Sequence, residues 1–164
     1  MGLLKGSINT TSGETKTKAE YTLATIYYRL GDLDTALKIY NNIKHKYEES
    51  RNNKGVSVVL HAIGMIHHDK GNYEEAVKKY NQALKIEKEL GNKSGIAITL
   101  HQIGRINEEE GESSSALRNY LISYSIFEQL NSPNKEIVAK SFLRLRDKMG
   151  EEEFDAEFEK LVNE

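Results

Sequence analysis

Gly71-Asn72-Tyr73-Glu74-Glu75-Ala76-Val77-Lys78-Lys79-Tyr80 is one of three versions of the same ten-residue stretch. Forty residues upstream stands Gly31-Asp32-Leu33-Asp34-Thr35-Ala36-Leu37-Lys38-Ile39-Tyr40, and forty downstream Gly111-Glu112-Ser113-Ser114-Ser115-Ala116-Leu117-Arg118-Asn119-Tyr120. Each version sets Ala five residues after its Gly and Tyr nine residues after it. A fixed period of this length marks a repeat array, in which every unit is one supersecondary element that buries its apolar face on its neighbours. Comparing residues 51–90 with 91–130, 12 of 40 aligned positions are identical, and most are small or apolar. The shared residues therefore speak of shared packing rather than shared chemistry.

Working outward from that stretch, the apolar spacing is helical. Ala19, Leu23, Ala24, Ile26, Tyr27 and Leu30 precede Gly31, and Ala36, Leu37, Tyr40, Ile43 and Tyr47 follow it at intervals of three and four. With only Gly31 and Asp32 between the two runs, the helices must fold back as an antiparallel hairpin, and Asp32 is placed to cap the second. The pattern restarts at Val56 and at Ile96, after breaks at Arg51 to Gly55 and Gly91 to Gly95. The expected organisation is units of about 16–55, 56–95 and 96–134, with a fourth hairpin at 135–164. That last hairpin lacks the Ala and Tyr and carries Glu151, Glu152 and Glu153, as a capping unit facing water would. At the other end, Lys18 and Glu20 stand where Val58 and Leu60 stand one unit later, and imply that nothing stacks upstream. Residues 1–15, rich in Ser, Thr and Gly, read as a flexible tail.

These hairpins resemble the tetratricopeptide repeat (TPR) family over about Lys16 to Leu161. The resemblance rests on an apolar residue before a small one in the first helix (Leu23-Ala24, Ile63-Gly64, Ile103-Gly104), the turn Gly, the second-helix Ala and the Tyr. The unit is 40 residues against the family's usual 34, similar to the long repeats of kinesin light chains, spindle-orientation adaptors and many prokaryotic TPR proteins. The extra length is expected in the second helix and its exit, Lys88 to Gly95. The resemblance implies an all-α fold, a right-handed superhelix of antiparallel hairpins with three full units and a degenerate fourth. It also implies a concave groove lined by the first helix of each unit, in which a small residue lets two helices approach and the Tyr fills the space between units.

Composition narrows the function. The 164 residues carry 23 basic and 25 acidic side chains, a net charge of −2, which does not make a nucleic-acid footprint. There is no Cys, so thiolate metal sites and cysteine nucleophiles are excluded and an intracellular setting is expected. No apolar run approaches membrane-spanning length and the start lacks a signal-peptide pattern, so the chain is expected to be cytoplasmic. No catalytic constellation emerges. The Glu runs at 108–110 and 151–153 read as solvated helix faces, Ser113 to Ser115 as a helix N-cap, and no Gly loop has phosphate-binding spacing.

The expected function is a non-catalytic scaffold that binds a peptide or helix of another protein. The first-helix residues free of stacking should line the groove: Tyr21, Thr25, Tyr28, Arg29, His61, Met65, His68, His101, Arg105, Glu108, Lys140 and Arg144. Aromatics and Arg in that set are the types that dominate binding energy. Tyr28, His68 and Glu108 occupy equivalent places without sharing chemistry, which marks them as specificity positions. The Lys and Asn clamp for acidic chaperone tails is not matched, because Tyr21, Thr25 and Met65 stand there and only Arg105 fits. His61, Met65, His68 and His101 share a face, but duplication of a packing residue explains them better than a metal, so no metal or cofactor is expected. His67 is expected at the packing interface with one hydrogen bond. The alternative function is self-association, a homodimer through the N-terminal end using Ile26 and Tyr27 together with Leu3 and Leu4 of the tail.

Overall fold

The computed structural model describes residues 2–163, with side chains from residue 13 onward. Among the described residues there are eight helices and no strand: α1 (Gly2–Arg29), α2 (Leu33–Glu49), α3 (Asn53–Asp69), α4 (Tyr73–Glu89), α5 (Lys93–Glu109), α6 (Ser113–Gln129), α7 (Lys135–Met149) and α8 (Glu151–Val162). They form four hairpins, α1–α2, α3–α4, α5–α6 and α7–α8. The second helix of each hairpin packs on the first helix of the next, the connectivity of an all-α solenoid. The backbone of residues 2–15 is helical and continues α1, where a tail was expected; Leu3, Leu4 and Ile8 fall among residues whose side chains lie outside the described set.

The period has a simple origin. Helices α2 to α6 are each 17 residues long and are separated by turns of three residues, so two helices and two turns make one unit. The extra length is therefore spread over both helices. Lys93, Ser94 and Gly95 open α5 instead of ending α4, because Asn52 and Asn92 are N-caps whose side chains accept from Gly55 N (2.9 Å) and Gly95 N (3.2 Å). The unit boundaries move accordingly, from 56 and 96 back to 53 and 93. Asp32 caps α2 as its position predicts, accepting from Thr35 N at 3.1 Å. The Ser113 cap does not form. Glu112 takes the N-cap place without a side-chain bond and the three serines lie inside the first turn of α6. Every turn between helices from α1 to α7 needs one left-handed residue. Gly71 supplies it at no steric cost, whereas Arg51 (φ 55°) and Asn131 (φ 49°) adopt it with a side chain.

The core explains the recurring Gly, Ala and Tyr. A Cβ built on Gly64 would meet the Tyr80 ring at 2.6 Å, and one on Gly104 would meet Tyr120 at 2.7 Å, so the two helices of a hairpin close onto an aromatic face. The same Tyr80 ring reaches forward to Ile103 and Ile106 of the next unit, as Tyr40 reaches Val59, Ile63 and Ile66. Ala36, Ala76 and Ala116 have no exposed surface. In the fourth hairpin Val138, Leu145 and Phe154 continue the core beyond Tyr120 and Phe127. Its outer face is mixed, with Ile137, Leu143 and Val162 exposed beside the glutamates.

The N-terminal end differs from its sequence reading. Glu20 accepts two bonds from Lys46 Nζ, at 2.6 and 2.8 Å, in the place where Leu60 packs against Ile86 one unit later. This replacement is internal to the first hairpin and does not mark an end face. Val58, which Lys18 replaces, is itself 44% exposed and is no stacking residue. The face that a preceding helix would cover is made by Leu23 and Ile26, and both are exposed.

Because Ala76 is fully enclosed, replacing it by Leu is expected to overpack the central hairpin and destabilise it by about 1–3 kcal/mol, measured by urea unfolding. An unchanged midpoint would show that the helices do not meet closely at Ala76.

Candidate partner-binding groove

The first helices α1, α3, α5 and α7 carry the predicted groove residues, and the structure gathers most of them into two groups. The first group surrounds an open depression of about 230 Å³ between α1 and α3, lined by Tyr21, Thr25, Tyr28, Arg29, Tyr40, His61, Ala62 and Met65. Tyr40 forms its floor, edge-on to Tyr21 with ring centroids 5.2 Å apart and 2.9 Å from the Thr25 hydroxyl. Burial, followed by the Tyr40 hydroxyl, pushes the Tyr21 phenol up to about 12. Burial, followed by the bond to Asp69, does the same for Tyr28. Both phenols stay protonated donors across the physiological range. Arg29 is exposed at the edge of the depression and Met65 is half-buried in its wall. Further along, Arg105 reaches Gln102 Oε1 at 3.1 Å, and Lys140 is exposed.

The second group stitches units together. Tyr28 Oη donates to Asp69 Oδ2 at 2.6 Å, and one unit later His68 Nε2 meets Glu109 Oε2 at 2.8 Å. At the third place Glu108 accepts two bonds from Arg144, at 2.8 and 2.7 Å, and one from Tyr120 Oη at 2.7 Å, while Lys148 Nζ donates to its backbone carbonyl. The positions that fail to repeat are thus a ladder of unit-to-unit bonds, each rung with its own chemistry. His68 and Glu108 are 7% and 5% exposed, so neither is open to a partner as the sequence reading held. Helical spacing places them on the inner side of the helix. It does not reveal that the final turn of each first helix faces the next unit. Arg144 holds Glu108 below the usual carboxylate range, and Glu108 in turn raises Arg144.

His61 and His101 lie beside Tyr80 and Tyr120, with ring centroids 5.2 and 5.4 Å apart. His61 Nδ1 stands 3.5 Å from Thr99 Oγ1, and His101 Nε2 bonds Ser141 Oγ at 2.9 Å. Burial lowers both to about 4, so both are neutral at neutral pH; Arg105 and Arg144 add to the effect at His101. Among the described residues no group of three or more His, Cys, Asp or Glu could hold a metal ion. His67 is half-buried, and its buried Nδ1 has no hydrogen-bond partner among the described residues, in contrast to the single bond expected for it.

One buried group escaped the sequence reading. Glu87 is 4% exposed between α4 and α5, and its Oε2 accepts from the Thr99 hydroxyl at 3.0 Å. Burial raises its carboxyl, against the opposing effect of that bond. Its signal was present in the repeat register, where Tyr47 and Phe127 hold the equivalent places and Glu87 alone is charged.

With this geometry in view, comparison with known proteins settles the family. The sequence matches the tetratricopeptide repeat over residues 17–89 and again over 55–129. The chain belongs to the tetratricopeptide repeat family. The crystal structure of BtubC (BKLC) from P. vanneervenii is similar with a TM-score of 0.72 and 17% identity, over 90% of this chain and 62% of that one. A Podosopora anserina protein assigned as a kinesin light chain, with nearly identical TPR-like repeats, gives a TM-score of 0.71 at 15% identity, over 90% of this chain and 74% of that one. At these identities the likeness is one of fold. The TPR chain thus spans less than two thirds of the BtubC chain, and its fourth hairpin lies beyond the matched repeats. No curated protein sequence matches it.

Two expected outcomes follow from the buried groups. Tyr120→Phe removes a donor from enclosed Glu108 and should cost about 1–3 kcal/mol, whereas the buried Tyr80 Oη has no bonding partner among the described residues, so Tyr80→Phe should be neutral or stabilising by up to about 1 kcal/mol. Equal losses in thermal melts would refute the ladder. For pH, the two histidines bind protons less readily folded (about 4) than unfolded (about 6.5). Their contribution is complete above pH 6.5 and is lost as pH falls towards 4, on the order of 3 kcal/mol each, while the Glu108 loss begins only below its unfolded value of about 4.5. Chemical denaturation of the His61→Gln, His101→Gln double variant should flatten the upper limb alone.

Proposed function

We propose that this TPR chain is a non-catalytic cytoplasmic adaptor that holds a peptide or helical segment of another protein along α1, α3 and α5. Tetratricopeptide repeats mediate protein–protein interactions, and among the described residues no helix is long and apolar enough to cross a membrane. The observation that carries the reading is the depression between α1 and α3. It combines aromatic and thioether walls (Tyr21, Tyr28, Met65) with the exposed Arg29 cation. Such a surface suits an amphipathic segment that offers an apolar side chain beside a carboxylate or a main-chain carbonyl. Arg105, further along the groove, extends the cationic edge. His68 and Glu108 support the groove from within, and Arg144 is held by Glu108.

A peptide array probed with wild type and with the Arg29→Glu, Met65→Lys double variant tests this. Neither residue belongs to the unit-to-unit ladder, but Met65 also packs beside the Tyr80 core, so captured peptides should weaken at least about tenfold at a temperature where circular dichroism shows the variant folded. Undiminished capture by the variant would exclude this depression as the site.

A further inference from the structure

We infer that buried Glu87, acting through the Thr99 hydroxyl, sets the tautomer of His61. It thereby decides whether the depression between α1 and α3 offers a partner a hydrogen-bond acceptor or a donor. The coupling belongs to the free protein, and only its consequence for a partner rests on the groove reading. Two odd residues in the repeat register lead to it. Where a second helix meets the next first helix, the first joint has Tyr47 and Val59 and the third has Phe127 and Ala139. The second joint has Glu87 and Thr99 in those places, 4% and 0% exposed. The Thr99 hydroxyl meets Glu87 Oε2 at 3.0 Å, so the two polar residues act as a pair. A buried carboxyl with no cation brought to it costs stability even when bonded. Packing does not account for the pair, since apolar residues fill the same places at the neighbouring joints.

What the pair reaches is a groove residue. Thr99 Oγ1 also stands 3.5 Å from Nδ1 of His61, which lines the depression. One hydroxyl thus lies between a carboxyl in the core and an imidazole in the groove. With Nδ1 turned to Thr99, Nε2 is the nitrogen left for the depression. A hydroxyl has a single proton to donate. With Glu87 ionised, Thr99 donates to the carboxylate, so His61 Nδ1 carries the ring proton and donates to Oγ1, and Nε2 presents a lone pair. With Glu87 protonated, its hydroxyl donates to Oγ1, Thr99 donates to Nδ1, and Nε2 carries the proton. The first state fits a main-chain N–H or a hydroxyl of the partner, the second a carbonyl or a carboxylate.

The surroundings leave this exchange to the three residues. At the start of α5, Gly95 and the neutral Asn92 side chain lie against the Glu87 carboxyl. Around His61 stand the Tyr80 ring and, in the lining of the depression, the phenols Tyr21, Tyr28 and Tyr40 and the Arg29 cation. Burial raises all four phenols, so they stay protonated. No charged side chain among the described residues shifts Glu87 or His61. Burial, against the Thr99 bond, raises Glu87 and lowers His61 to about 4, so Glu87 takes up its proton while His61 is still neutral. His101 is an internal control. Its Nε2 bonds Ser141 Oγ at 2.9 Å, and Phe127 and Ala139 hold the places of Glu87 and Thr99.

Long-range proton–nitrogen NMR of the isotope-labelled chain shows which ring nitrogen of each histidine carries the proton, and tests the coupling with no partner present. Between about pH 8 and about pH 5, above the point at which His61 itself charges, its proton should move from Nδ1 to Nε2 as pH falls. Glu87→Leu leaves Thr99 free to donate to His61 and should show the proton on Nε2 throughout. Thr99→Val, for which Val59 is the precedent in the same register place, should make the tautomer independent of pH. His101 should respond to neither substitution. The same His61 tautomer in wild type and Glu87→Leu across the range, or a tautomer that still follows pH in Thr99→Val, would overturn the proposal. Because the measurement reads the free protein, a failure here and a failure of the peptide array are separate results.

Discussion

The close approach of Tyr80 to Gly64 is the contact on which the rest of this solenoid depends. A helix pair can close onto an aromatic face only if one partner lacks a side chain there, and the Gly64 and Gly104 positions supply that absence. Once closed, the hairpin projects the same ring towards Ile103 and Ile106, so one side chain serves both the unit and the joint to the next. The first unit solves the problem differently, with Ala24 in the small position and the Tyr40 hydroxyl tied to Thr25. The variation is tolerated because each unit contacts only its neighbours.

On this apolar frame lies a second, polar system. The rungs Tyr28 to Asp69, His68 to Glu109 and Arg144 to Glu108 join consecutive first helices, each with a different donor and acceptor. His68 and Glu108 are buried, and buried polar groups are tolerable only when bonded, so those two rungs stabilise one pairing of units and penalise another, whereas the Tyr28 to Asp69 bond is exposed. A repeat array whose units shared all their contacts could stack in any order. Distinct rungs give these units a fixed neighbour, and they limit the residues left over for recognition. The groove positions outside the rungs gather around the depression between α1 and α3, with a thioether and an exposed guanidinium at its rim, and this is where the proposed partner segment would sit.

The two ends of the array are unlike. The fourth hairpin covers Tyr120 and Phe127 with Val138, Leu145 and Phe154, extending the core past the last recognisable repeat. The first hairpin leaves Leu23, Ile26 and Leu30 in solvent, although Glu20 and Lys46 seal its interior with an ion pair. Stacking surface is thus presented at α1.

Read alone, the amino-acid order determined the repeat, its length, the all-α hairpins, the Asp32 cap and the identity of the packing residues, because these follow from local spacing and from residue size at fixed offsets. Tyr21, Thr25, Tyr28, Arg29, His61 and Met65, expected in the groove from their spacing, line one depression in the structure. Only the tertiary structure decided which flank of each first helix meets the next unit. That choice buried His68 and Glu108, and it turned Glu20 inward against Lys46. Helical periodicity assigns a residue to an angle around its own axis. What stands opposite that angle depends on how one hairpin is rotated against the next, a quantity set by the summed packing of many side chains and carried by none of them singly. For the same reason Glu87 was visible as an odd residue in the register, yet its burial against Thr99 emerged only when α4 and α5 were brought together.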